Sequence, residues 1–122
     1  MKVKIDTKEK FHIIDLQEPV LYANMTEEMD ELLRSYLKKD IMNVVLNLKE
    51  VNSIDEEIAK TIFKIQQAFY DNNVSFVICE IGQTVEEVFD KLELLEFLNI
   101  TPTASEAGDI VQMEEIEREC ME

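Results

Sequence analysis

Two stretches constrain this chain more than any others: "MNVVLNL" (residues 42–48) and "SFVICEI" (residues 75–81). Neither alternates. A strand with one wet face shows apolar and polar residues in turn, whereas a nearly continuous β-branched and apolar run marks a strand covered on both faces. Between them lies a segment of different period. Ile58, Ile62, Ile65 and Phe69 fall on one helical row, with Ala59, Phe63 and Tyr70 beside it, and the helix should end near "DNN" (71–73). A buried strand, a helix and a second buried strand make a unit in which the two strands run parallel.

The flanking segments extend that unit. "KVKID" (2–6) alternates and "FHIIDLQ" (11–17) is more apolar, so both read as strands. The short gap between them suggests a hairpin, although "TKEK" has no Asn-Gly turn signal. Met25, Met29, Leu32, Leu33, Tyr36 and Leu37 mark a first helix, with Glu27, Glu28 and Asp30 near its start and Lys38 and Lys39 at its end, as the helix dipole prefers. "TVEEVFDKLELLEFL" (84–98) predicts a further helix opened by a capping box of Thr84 and Glu87. "ITPTA" (100–104) reads as a short strand. "SEAGDIVQMEEIERE" (105–119) reads as a last helix with Ala107, Ile110, Val111 and Met113 inward, its first turn weakened by Gly108. The order ββαβαβαβα predicts an α/β fold: a mixed, mainly parallel sheet of about five strands packed with about four helices. At 122 residues the chain is expected to form one domain (1–122), ending in an acidic helix or tail over about 105–122.

"NSIDEEIAK" (52–60) sits at the junction of strand and helix and places Asp55, Glu56 and Glu57 in a row. Helix nucleation accounts for them in two ways. Ser53 and Glu56 fit a capping box; alternatively Asp55 is the cap and the two glutamates occupy the first turn, each contact contributing about 0.3–1 kcal/mol. A metal site built on the triplet lacks supporting ligands at recognised spacing, and consecutive residues at a helix start point different ways. No cofactor or metal is expected.

Composition narrows the function classes. Twelve basic against 27 acidic residues leave a formal charge of −15, so nucleic acid and anionic membrane surfaces are disfavoured as partners. The segment "MEEIERECME" (113–122) alone holds five glutamates and one arginine. No run reaches the ~20 apolar residues of a membrane span, and the opening "MKVKIDTKEK" has no signal-peptide character, so a cytoplasmic protein is expected. His12 is the sole histidine and lies in an apolar run, which suits packing better than catalysis. Cys79 reads as a small buried residue, and Cys120 lies among glutamates that disfavour its thiolate. "EIGQTVEE" has one glycine and no lysine, so no phosphate loop is present. The chain is read as non-enzymatic.

The stretch from "VVLNLKEVNSIDEEIAKTIF" through "SFVICEIGQTVEEVFDKLELLEFLNITPTASEA" resembles the STAS domain, the fold of bacterial anti-sigma factor antagonists. The likeness rests on the order and spacing of elements and covers about residues 2–115. It implies a cytoplasmic protein–protein interaction module that binds an anti-sigma or serine-kinase-like protein, or another STAS regulator. It also implies a partner surface around Ser53, Asp55, Glu56, Glu57, Lys60 and Thr61. In the family a serine following the aspartate is phosphorylated. Asp55 matches the aspartate, but Glu56 stands at the serine position, Glu57 at the next Ser/Thr and Ile58 at the glycine. Glu56 has no hydroxyl to phosphorylate. It carries one negative charge against roughly −1.5 to −2 for phosphoserine, so the switch is either imitated weakly or lost. Ser53 and Thr61 are the nearest hydroxyls. Alternative readings are a STAS subunit of a membrane transport assembly, or a small-ligand or metal-binding domain using Asp55–Glu57. The oligomeric state is left open.

Overall fold

The computed structural model describes residues 1–120. Its strands are β1 (Val3–Thr7), β2 (Phe11–Leu16), β3 (Val20–Leu21), β4 (Asn43–Asn47), β5 (Ser53–Ile54), β6 (Phe76–Cys79) and β7 (Ile100–Thr101). Its helices are α1 (Thr26–Arg34), α2 (Glu56–Asp71), α3 (Gln83–Lys91) and α4 (Ala104–Cys120), with short 3-10 turns at Ala23–Met25, Ser35–Lys38 and Leu95–Phe97. Met121 and Glu122, the end of the acidic segment expected over 105–122, lie outside the described residues.

Five strands form the main sheet in the order β1-β2-β4-β6-β7. β1 and β2 are the expected antiparallel hairpin, and β2, β4, β6 and β7 run parallel. Every residue of β4 and β6 is buried, as their nearly continuous apolar runs predict, the flanking Asn43 and Asn47 included. Successive side chains go to opposite faces. Ile14, Leu16, Val44, Leu46, Phe76 and Ile78 join the larger core with Met29, Leu33, Ile58, Ile62, Ile65, Phe69, Val85 and Phe89 of α1, α2 and α3. Phe11, Val45, Val77 and Cys79 face the other way, where Ala107 and Val111 of α4 cover them.

One helix thus covers this face over β2, β4, β6 and β7, and it does so closely. A Cβ added at Gly108 would lie 2.9 Å from Cζ of Phe11. The glycine that weakens the helix in isolation is what lets α4 seat on the ring. Beyond Val111 the docking is polar. The Asn43 side-chain amide donates to Glu115 Oε1 (2.7 Å) and to the Lys10 carbonyl (2.9 Å). Arg118 Nη2 donates to the same Glu115 oxygen (2.9 Å) and to Ser75 Oγ (3.1 Å). The expected inward Met113 is instead 58% exposed. It follows Val111 by two residues, about 200° around the helix, and so points away from the sheet.

Three further expectations are corrected. The helix predicted over 84–98 stops at Lys91, because Glu93 takes φ 59° and the chain turns back, with the Leu94 amide donating to the Phe89 carbonyl (2.9 Å). Leu92, Leu94 and Leu95 still pack on the core, but from a turn. The Thr84–Glu87 capping box does not form: the helix begins one residue earlier at Gln83, with Gly82 at the cap and no side-chain cap bond. Tyr70, placed beside the buried row of α2, is 76% exposed.

Candidate functional site

The acidic junction is held by a structure too short to read in sequence. β3 and β5 pair in parallel, Val20 with Ser53 and Leu21 with Ile54. The amides of Asn52 and Ser53 donate to the Pro19 carbonyl (2.7 and 3.3 Å), and the Asp55 amide donates to the Leu21 carbonyl (2.9 Å). This clip ties the start of α2 to the segment leaving β2.

Asp55 occupies the cap position of α2 with extended backbone (φ −75°, ψ 157°), and its carbonyl accepts from the amides of Ile58 and Ala59 at 3.0 and 3.2 Å. Its side chain does not cap the helix. Oδ2 accepts from the Ala23 amide at 2.7 Å, reaching across to the turn before α1. The Ser53–Glu56 box is absent, because Ser53 lies in β5 and Glu56 is the first helical residue. Of the two capping readings, Asp55 at the cap with Glu56 and Glu57 in the first turn matches the backbone.

The three carboxylates diverge. Asp55 faces Ala23, Glu56 Oε2 accepts from Lys91 Nζ at the end of α3 (3.1 Å), and Glu57 pairs with Lys60 one turn on at 3.7 Å. Among the described residues, no three His, Cys, Asp or Glu side chains come together in a way that could hold a metal ion. Glu56 and Lys91 are 47% and 73% exposed, so solvent screens their attraction and the pair contributes well under 1 kcal/mol.

Of the six residues expected at a partner surface, Asp55, Glu56, Glu57 and Lys60 are exposed at this corner. Ser53 is half-buried in the small sheet. Thr61 is buried, with its hydroxyl donating to the Glu57 carbonyl (2.8 Å). Ile58 and Ile62 behind the corner are fully buried. Ala23, Lys91 and the exposed Tyr22 also belong to the corner, and sequence reasoning did not name them. Ala23 is 32 residues from Asp55 and Lys91 is 35 from Glu56, separations that carry no local pattern.

His12 and Cys79, away from the corner, are packing groups. His12 is buried; its Nε2 donates to the Ile41 carbonyl (3.0 Å), which leaves Nδ1 to accept from the Thr7 hydroxyl (2.8 Å) when the ring is neutral. Burial, aided by Glu80 and Asp15, pushes the Cys79 thiol up to about 12, which leaves it protonated and inert.

This architecture, with a hairpin leading into a parallel sheet and an acidic helix start clipped beside it, belongs to a known family. The STAS domain profile matches residues 2–107, and the chain is a member of the STAS domain family. Its fold is shared by solved anti-sigma factor antagonists. One, described as such from Thermotoga maritima, is 20% identical with a TM-score of 0.77, over 90% of this chain and 94% of that one. Moorella thermoacetica RsbS, in a variant with a serine replaced by glutamate, is 16% identical with a TM-score of 0.77, over 97% and 99% of the two chains. The unphosphorylated anti-sigma factor antagonist SpoIIAA is 14% identical with a TM-score of 0.73, over 91% and 96%. No curated protein sequence matches the chain. Among the described residues no helix is long and apolar enough to cross a membrane.

Proposed function

We propose that this chain is a non-catalytic regulatory module of the anti-sigma factor antagonist type. It docks a protein partner on the corner formed by Tyr22, Asp55, Glu56, Glu57 and Lys60, and Glu56 holds a permanent negative charge where relatives carry a phosphorylatable serine. The observation that carries this reading is the placement of Glu56. It is the first residue of α2, half-exposed and beside the Asp55 carboxylate that fastens the corner to Ala23. A charge there is presented by a rigid element rather than by a loop. The fold shared with anti-sigma factor antagonists, and with the glutamate variant of RsbS, supports the same reading. The partner is an anti-sigma or serine-kinase-like protein, or another STAS regulator, with a basic face toward Glu56 and Glu57. Complementary charge sets association rate and partner choice more than raw affinity.

The test takes a partner captured from lysate by the wild-type chain and titrates it against wild type and against Glu56→Lys/Glu57→Lys at two salt concentrations. The double reversal places two charges against the helix dipole, a loss of roughly 1–2 kcal/mol, so folding is checked by circular dichroism. Binding should weaken at least about tenfold, and most at low salt. A folded double variant that binds as tightly as wild type at low salt sinks the proposal, and the triplet is then a helix start only.

A further inference from the structure

The sheet has two edges. β7 has two residues and β1 has five. Four of the five β1 residues, Lys4 to Thr7, are exposed, and the strand packs chiefly on β2. The Lys8 backbone amide donates to the Phe11 carbonyl and the Gln17 amide to the Lys2 carbonyl, each at 2.8 Å. Antiparallel bonding alternates, so residues 2, 4, 6 and 8 turn their backbone groups toward β2. Val3, Ile5 and Thr7 present free amides and carbonyls outward. Such an edge is a template for another strand.

The side chains say which strand. We propose that a second copy of this chain pairs on β1, antiparallel about a two-fold axis through Ile5, which continues the sheet across the dimer. In that register Ile5 meets Ile5 of the other copy, and Val3 meets Thr7. Those are the positions whose backbone groups are free, and both sets of bonds form. Lys4 then lies opposite Asp6 of the other copy, and Asp6 opposite Lys4. These are non-hydrogen-bonded pairs, in which side chains approach most closely. Neighbouring registers are penalised: an axis at residue 4 sets Lys4 on Lys4, and an axis at residue 6 sets Asp6 on Asp6. Shifts by one residue leave the free backbone groups unmatched. Ile5, a 45% exposed apolar side chain on the opposite face of the strand, is covered by its own copy. Within one chain Asp6 pairs with Lys8 at 3.1 Å, both about half-exposed, so its carboxylate remains open to a second lysine. Lys2 and Lys8 of the two copies meet only beyond the strand ends. That repulsion and the small contact keep the dimer weak and dependent on concentration.

The test is sedimentation equilibrium of the full chain up to about 1 mM, well beyond micromolar affinities. The average mass of wild type should climb from 14.3 kDa toward twice that value. Lys4→Asp and Asp6→Lys each turn both pairs repulsive. Both positions are exposed, so each variant should fold, and each should dimerise at least about tenfold more weakly. An equimolar mixture of the two variants should dimerise again, since one chain then carries only acidic side chains at positions 4 and 6 and the other only basic ones. The double swap Lys4→Asp/Asp6→Lys should match wild type within about threefold. A wild type that stays monomeric throughout overturns the proposal. So does a dimer that persists in both single variants, or one that mixing does not restore. No partner protein enters the experiment, so its outcome is separate from that of the docking corner.

Discussion

Replacing Gly108 with alanine sets two effects of opposite sign against each other. In a helix interior the exchange stabilises by about 1 kcal/mol, because alanine loses less backbone freedom on folding. Here the new methyl carbon would sit 2.9 Å from Cζ of Phe11 and 3.6 Å from Cε1 and Cε2. Carbon atoms rest at roughly 3.5–4.0 Å, so the ring or the helix must give by about half an ångström or more. The ring is 6% exposed and packed in a cluster with Val45, Val77, Ala107 and Val111. The helix is pinned further along by Asn43, Ser75, Glu115 and Arg118. Overpacking of this kind costs about 1–3 kcal/mol. The packing cost should win, leaving Gly108→Ala less stable by about 1 kcal/mol and its Tm lower by roughly 3–5 °C. Urea melts and calorimetry measure both. The companion experiment repeats the exchange in a Phe11→Leu background, where the ring is gone and the helix preference should show, making alanine neutral or stabilising. A higher Tm in the wild-type background, or the same sign and size in both backgrounds, would mean that the Phe11 ring does not set the cost at position 108.

Asp55→Ala should raise the exchange rate of the Ala23 amide, its partner at 2.7 Å, and cost about 1–2 kcal/mol in urea, as a surface hydrogen bond and a favourable charge at a helix start are lost together; an unchanged Ala23 amide would remove the bridge from the account. Glu56→Gln should cost no more than about 1 kcal/mol, since an exposed ion pair with Lys91 and a dipole contact are all it forfeits, and a loss of several kcal/mol in the same melts would mean a tighter role than the structure gives it. Hydrogen bonds from Asn43 and Arg118 hold the Glu115 carboxyl below its ordinary 4.5. A carboxyl lowered by folding contributes stability above its unfolded value, and that contribution fades as pH falls through the folded value. Wild type should therefore exceed Glu115→Gln in stability at pH 7, with the gap closing below about pH 4.5; a gap that stays constant from pH 7 to pH 3 counts against the lock.

From sequence alone follow the order of the longer strands and helices and the mixed, mainly parallel character of the five-stranded sheet, but not the short β3–β5 pair. "MNVVLNL" and "SFVICEI" could be satisfied only by strands covered on both faces, and the row Ile58, Ile62, Ile65 and Phe69 supplied a helix to cover one of them. Those signals are periodic and local, and each reports a residue's demand for burial. The family likeness was legible for the same reason, since it lies in the order and spacing of such segments. Tertiary structure decided what each end of an element does. The periodicity of Leu92, Leu94 and Leu95 is compatible with a helix or a turn, and only packing against the core chose the turn at Glu93. Gly108 reads as a weakness until the Phe11 ring is seen against it. The acidic triplet announced a helix start, but Asp55 turned to Ala23 and Glu56 to Lys91, partners more than 30 residues away. A carboxylate at a helix start has local amides and distant groups to choose from. The choice depends on which loop the fold brings within about 3 Å, and no local pattern records that distance.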